Sequence, residues 1–464
     1  MASPITEQRH MRISPELVTE LREDFRGNLL QPGDVQFDAA RRVHNGMIDR
    51  LPALIARCSG VADVRAAVRW AQQHSIQVSV RGGGHGIAGT AVCEGGLVID
   101  MESMKGVVVD PEASRVRAQG GVTWGELDRE TQVFGLATTG GAISSTGVSG
   151  LTLGGGLGWL MRRHGLACDN LRSAQVVLAD GRCVTASETR HEDLFWGLRG
   201  GGGNFGIVTA FEYALHPVGP VVAGLLLYPL AAAREVLRAY RAFTQTAPDE
   251  LTLYAALISG PDGAPLVGLL PCYCGPTEKG AELLSPLIQF GSPVVNTIGP
   301  VPYTVVQQQL DGAYPKGALN YWKSSFLASI PDDLFDTLVR HFERVPSPMT
   351  GIVIEQLGGA VGRVPVAATA FSHRAAAYNL LITGVWQDPA ETQANIAWTR
   401  ELFAAIQPHA AKGVYVNYLD EDDVSGRSVA AFGANYARLQ ALKRKYDPAN
   451  FFAQNQNVSP DSPP

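Results

Sequence analysis

The chain is short of several things, and each shortage excludes something. No apolar run reaches about 18 residues, the length a helix needs to cross a bilayer core, so no membrane span is expected. Basic residues are outnumbered: 38 Lys and Arg stand against 44 Asp and Glu, a net charge of −6. That balance leaves no basic surface for nucleic acid or anionic lipid. Cysteines number six among 464 residues and are scattered, at Cys58, Cys93, Cys168, Cys183, Cys272 and Cys274. "PCYCG" has no second Cys or His pair at zinc spacing, so no metal is expected. The N-terminal "MASPITEQRHMRISPELVTELRED" lacks an apolar core and does not read as a secretory signal. A reduced, cytoplasmic compartment is the simplest expectation. No G-K-S or G-K-T follows a glycine run, which argues against nucleotide hydrolysis.

Glycine is what the chain has: 51 residues, concentrated in clusters between Arg81 and Gly206. Around them, short strands and helices alternate. "VADVRAAVRWAQQH" has helical apolar spacing, "IQVSVR" is strand-like, and "GGLVIDM" and "GVVVD" read as buried strands. A helix is expected to start at Thr123, and "AQVVLADGRCVTAS" reads as a hairpin about Asp180-Gly181. After "HPVGP" (His216–Pro220) glycine thins out and the elements lengthen. "VAGLLLYPL", "LTLYAALISG", "PLVGLLPCYC", "ALNYWKSSFLA", "TGIVIEQLGG" and "YNLLITGVW" read as strands of one broad sheet, with helices such as "PDDLFDTLVRHFERV" packed on a face.

Two stretches match G-x-G-x-x-G: Gly84 to Gly89 and Gly201 to Gly206. A dinucleotide fingerprint requires strand, loop, then helix. The first is followed by "TAVCEGGLVIDM", where Gly95-Gly96 prevents a helix from starting. The second has a helix before it and a strand after it. Neither is a Rossmann fingerprint. Glycine turns can still bind a pyrophosphate through backbone N–H groups alone.

The motifs Arg81-Gly82-Gly83-Gly84-His85, "LVIDMESMKGVVVD", "GVTWGEL", "GVSGLTLGGGLGWLMRRHGLACDNL", "LFWGLRGGGGNFGIVT" and "NYARLQALKRKYDPANFF" occur in order over nearly the whole chain. Together they resemble the berberine-bridge-enzyme-like FAD-linked oxidases of the vanillyl-alcohol-oxidase group. The resemblance implies an α+β fold. A two-part p-cresol-methylhydroxylase-type FAD-binding domain (residues 1–217 and 411–464) would enclose a substrate domain (218–410) with an antiparallel sheet covered by helices.

It also implies roles. His85 would bond covalently to the flavin, with Arg81, Gly82, Gly83, Gly84 and Gly86 forming its loop. Relatives with a second tether carry a cysteine where this chain has Ile143, so a single covalent attachment at His85 is expected. Cys168 lies beyond that loop and reads as a small buried residue. Ser145, Thr146, Gly147, Gly150 and Gly155 would wrap the pyrophosphate and flavin, and the short Thr146 would suit oxygen access. Ile207 and Val208 would meet the adenine through backbone, and Asn435, Tyr436 and Asn455 would close over the flavin. Tyr418, in "VYVNYLDEDD", would face the substrate as base. A phenol near pKa 10 needs a positive neighbour for that, and Lys316, Lys323 and Arg363 are the candidates. Glu355 and Asn379 complete the catalytic set; Glu355 and Gln356 cannot both face the pocket of a regular strand. Leu151, Leu157 and Leu381, where some relatives are polar, point to a less polar substrate than an oligosaccharide.

The reaction implied is removal of a hydride from a C–H next to a hydroxyl or amine of a small molecule, with O2 as the final acceptor and H2O2 as product. A dehydrogenase with another acceptor, a nicotinamide-dependent flavin reductase and a flavin-holding scaffold are the alternatives.

Overall fold

A computed structural model describes residues 13–423 and 427–461. Its first core forms where the helical apolar spacing was expected. Helix Val61–Gln73 buries Val64, Ala67, Val68 and Ala71, positions that share one face. Its first turn carries Asp63, whose carboxylate accepts from the backbone of Arg26, Gly27 and Ser59. Helix Trp124–Gln132 starts as expected, with a capping box between Thr123 and Glu126.

Two sheets make up most of this part. In the four-stranded sheet, Leu97–Asp100 lies between Leu54–Arg57 and Val78–Arg81, parallel to both. Asn28–Leu30 pairs antiparallel at the edge. The five-stranded sheet is antiparallel, in the order Val107–Asp110, Arg115–Gln119, Ile207–Ala214, Leu171–Val177, Cys183–Ser187. The last two strands form the expected hairpin, with Gly181 at φ +76°. Val107–Asp110 departs from expectation. As an edge strand it alternates half-buried and exposed residues rather than burying both faces.

A nine-stranded sheet, antiparallel at every pairing, dominates the middle of the chain. Its long strands run Pro265–Tyr273, Leu251–Ser259, Gly351–Gln356, Tyr378–Trp386 and Leu319–Leu327, in that order, the last at one edge. "VAGLLLYPL" is two strands here, Val221–Ala223 and Leu226–Pro229. The break is at Gly224, φ +146°, where a Cβ would stand 2.5 Å from the Thr297 carbonyl. Helices Ala233–Thr246, Asp332–Phe342 and Thr392–Ile406 cover one face, packing Tyr240, Phe335 and Leu402 onto Leu253, Ile354 and Leu380. Period-2 alternation turns Tyr254, Val353, Glu355 and Leu381 to the other face. There Tyr254 is registered with Glu355, Glu355 with Asn379, and Val353 with Leu381.

The C-terminal helix Tyr436–Tyr446 returns to the first part, where Leu439 and Leu442 pack with Phe195 and Phe205. Lys443 is fully buried. Its ammonium donates to Asp447 at 2.7 Å and to the carbonyls of Asn204 and Phe452 at 2.8 and 3.0 Å. No described helix is long and apolar enough to cross a membrane.

Candidate active site

The glycine loops meet face to face. Gly83 and Gly147 approach so closely that a Cβ on either would sit 2.5 Å from the other's backbone nitrogen. A Cβ on Gly82 would stand 3.1 Å from the Gly120 carbonyl. Gly84 takes φ +65°, a turn that L side chains resist. Together these loops line a cavity of about 300 Å³ that runs from the glycine-rich part to the uncovered face of the large sheet. His85 lines it. Its ring stacks on His44 with centroids 3.9 Å apart, and its Nε2 is shielded from water without a hydrogen-bond partner. Burial first, and the neighbouring His44 second, push its pKa down to about 3, so the imidazole is neutral with a free lone pair.

The far wall is aromatic and aliphatic, with one carboxylate. Trp322 meets Tyr314 and Tyr418 edge-on, at centroid distances of 5.5 and 6.0 Å. Leu310, Val353 and Leu381 fill between them. Glu355 lies among these groups, 3% exposed. Its Oε1 accepts from the Tyr418 hydroxyl at 3.0 Å and its Oε2 from Asn379 Nδ2 at 2.7 Å. Burial raises its pKa to about 7 against these two bonds, which lower it. Tyr418 moves the other way for a base: burial and then the Glu355 charge push its phenol well above its ordinary value. Among the described residues, none of the three candidate cations pairs with Tyr418. Lys323 pairs with Asp422 and Asp423, Arg363 with Asp249, and Lys316 is exposed. The neighbour of Tyr418 is a carboxylate, and in the bond between them the Tyr418 hydroxyl donates and Glu355 accepts.

Residues 52–187 match the FAD binding domain family, and residues 414–459 the berberine and berberine-like family. An FAD-linked oxidoreductase of Dictyostelium discoideum is 30% identical over 451 residues, 96% of this chain and 97% of that protein. The (R)-6-hydroxynicotine oxidase of Paenarthrobacter nicotinovorans is 30% identical over 470 residues, 97% of this chain and 100% of that protein. The chain belongs to the berberine-bridge-enzyme-like FAD-linked oxidoreductases. Among solved structures, 6-hydroxy-D-nicotine oxidase from Arthrobacter nicotinovorans superposes with a TM-score of 0.87 at 28% identity, covering 94% of this chain and 98% of that one. A chitooligosaccharide oxidase does so with a TM-score of 0.84 at 25% identity, covering 96% and 100%.

The residues of this FAD-linked oxidoreductase fit the cofactor of its family. Bare glycine backbone faces the cavity where side chains cannot stand, and three lining residues, His85, Tyr254 and Asn455, hold shielded polar atoms without partners. Gly82, Gly83, Gly84, Gly86, Thr146, Gly147, Gly150, Ile207 and Val208 also line the cavity, as do Glu355 and Tyr418.

Six expected residues, Arg81, Ser145, Gly155, Asn379, Asn435 and Tyr436, do not line it. Arg81 folds back into an ion pair with Asp100 and bonds the Ala40 carbonyl, bracing the loop from behind. Ser145 is exposed, and it is Ser144 that bonds Asp311. Gly155, at φ +123°, packs against Phe371, where a Cβ would stand 2.9 Å away. Asn379 is fully buried behind Glu355 and orients it.

Asn435, expected to close over the flavin, instead donates to the carbonyls of Val366, Thr369 and Ala370. Ile143 lines the cavity at the second tether position, while Cys168 is buried outside it. Sequence reasoning missed Tyr254, Tyr314 and Trp322, whose alternation on known strands places the first and third, and Tyr415. The Tyr415 hydroxyl accepts from the Gly156 and Leu157 N–H groups and from Asn417 Nδ2.

Proposed function

We propose that the protein is an FAD-dependent oxidase that removes a hydride from a C–H next to a hydroxyl or amine of a small organic molecule. Glu355 takes the O–H or N–H proton, and His85 is the single covalent anchor of the cofactor. The observation that carries this reading is Glu355: a carboxylate buried in an apolar wall, facing the cavity, with no cation beside it among the described residues and a pKa of about 7. A group poised near neutrality suits general-base work. When bound, FAD would supply the hydride acceptor and the two-electron chemistry that lets O2 be the final acceptor, with H2O2 as product.

The chain's own residues do the rest. Asn379 holds Glu355 Oε2, and the Tyr418 hydroxyl holds Oε1, so the carboxylate keeps one orientation. Trp322, Tyr314 and Leu381 exclude water and pack the substrate's apolar body. The similar proteins named as oxidases of 6-hydroxynicotine and of chitooligosaccharides support the oxidase reading, and the leucines at 151, 157 and 381 favour the less polar kind of substrate.

The test is a screen for H2O2 release from alcohols, amines and sugars by wild type and Glu355→Gln. Wild type oxidises apolar alcohols or amines, with activity rising through pH 7 as Glu355 ionises. Release of H2O2 only from sugars, or a Glu355→Gln variant as active as wild type, contradicts the proposal.

A further inference from the structure

His85 does not hold its position alone. The segment His44-Asn45-Gly46, which no motif marked, lies between the glycine loop and the large sheet and is bonded to both. On the loop side, the His44 N–H donates to the Gly84 carbonyl at 2.9 Å, and Asn45 Nδ2 donates to the Ile87 carbonyl at 2.9 Å. On the sheet side, Gly317 N–H donates to the His44 carbonyl and Gly46 N–H to the Ala318 carbonyl. Asn45 also exchanges bonds with the Asn320 backbone, Nδ2 to the carbonyl and Oδ1 from the N–H, each at 3.0 Å. The result is a strap fastened at both edges, with one ring free to act.

That ring is the His44 imidazole. It is 4% exposed and lies on the His85 ring at 3.9 Å between centroids and 21° between planes. Its own Nε2 is buried and unpartnered, so no hydrogen bond explains why an imidazole stands there. What it touches is the residue that lines the cavity. A stacked ring removes the rotations that His85, on a glycine loop, would otherwise sample.

We propose that His44 is the positioning residue for flavin attachment: its ring, fixed by the strap, clamps the His85 ring at the angle from which it bonds the cofactor. The proposal rests on the reading that His85 carries the covalent link: a His85 ring nitrogen would bond the flavin 8α carbon as one methyl C–H and the imidazole N–H give up their hydrogens, the two electrons would be left on the flavin, and O2 would take them up to give H2O2. The gain is that of orientation, where a misplacement of about 1 Å slows a bond-forming step by about 10²-fold. The stack also disfavours charge on either ring, which keeps the His85 lone pair available. Burial lowers His44 itself to about 4, with the Lys316 charge adding to it.

The experiment follows covalent incorporation, not turnover. Wild type, His44→Leu, His44→Phe and His85→Ala are incubated with excess FAD, sampled over hours, acid-precipitated and read by in-gel flavin fluorescence. His44→Leu fills the space without a flat face and is expected to attach flavin about 100-fold more slowly, while binding it non-covalently and melting near wild type. His44→Phe restores the flat face and is expected to attach at close to the wild-type rate. Should His44→Leu not fold, His44→Ala is read in the same way. A His44→Leu protein that attaches flavin like wild type overturns the proposal; so does a His44→Phe protein as slow as His44→Leu, because the nitrogen and not the face would then matter. His85→Ala keeps the two readings apart. If it still attaches flavin, or if wild type attaches none, the His85 reading fails, whatever His44 does.

Discussion

Glu355 answers two opposed demands. Its pKa of about 7 makes it a usable base, and the same burial makes it costly to the fold. A carboxyl whose folded pKa lies above its unfolded value stabilises the protein fully only at low pH, and that contribution is lost as pH rises through the folded pKa. Between 4.5 and about 7 the loss is on the order of 3 kcal/mol. Glu355→Gln is therefore expected to raise the melting temperature at pH 8 and leave it unchanged at pH 5, while lowering turnover by about 10²- to 10⁴-fold. Differential scanning calorimetry at the two pH values checks the first part, and an H2O2 assay the second. Tyr418→Phe removes a bond that lowers the Glu355 pKa, so the acid limb of the pH–rate profile should move upward from 7. A limb that stays put or moves down would show that Tyr418 does not touch the base. Alternation alone showed that Glu355 and Gln356 face opposite ways. Which one meets the cavity depends on Gln356 Nε2 reaching the Thr244 carbonyl on the helix-covered side, a contact 112 residues distant.

The elements that build the cofactor site are loops pinned by distant partners. The glycine runs were legible because their neighbours were in the wrong order for a Rossmann turn. Their mutual contact was not, because Gly83 and Gly147 are far apart in sequence and no local signal links them. Gly83→Ala should therefore abolish tight flavin binding while changing a residue that carries no chemistry, as A450 per protein after gel filtration will show; a yellow Gly83→Ala protein would mean that the two loops can separate at no cost. Lys443 is another such partner. It lies in a helix the sequence announced, but its ammonium ties the carbonyls of Asn204 and Phe452, and so fixes two segments that flank the cavity. Removing one partner of a buried, hydrogen-bonded pair costs about 3–5 kcal/mol. Lys443→Met should unfold at correspondingly lower urea than wild type; an unchanged midpoint would mean that Asp447 finds another donor.

At the scale of the whole molecule, the change in texture after His216 was the legible signal: glycine turns give way to long strands, and those strands make the sheet that roofs the cavity. The strap at His44 was invisible, since three residues between a helix and a strand carry no periodicity, and their meaning lies in bonds to Gly84 on one side and Asn320 on the other. The roof brings one carboxylate, and the floor one neutral imidazole, to a single cavity in which no cysteine stands. In the proposed function the imidazole below is the anchor and the carboxylate above is the base. Protease digestion of the purified yellow protein, followed by mass spectrometry of every flavin-bearing peptide, tests it most directly. One flavin peptide is expected, with FAD on His85 and none on any cysteine. Flavin that stays in the acid supernatant, or a peptide modified at another residue, would contradict it.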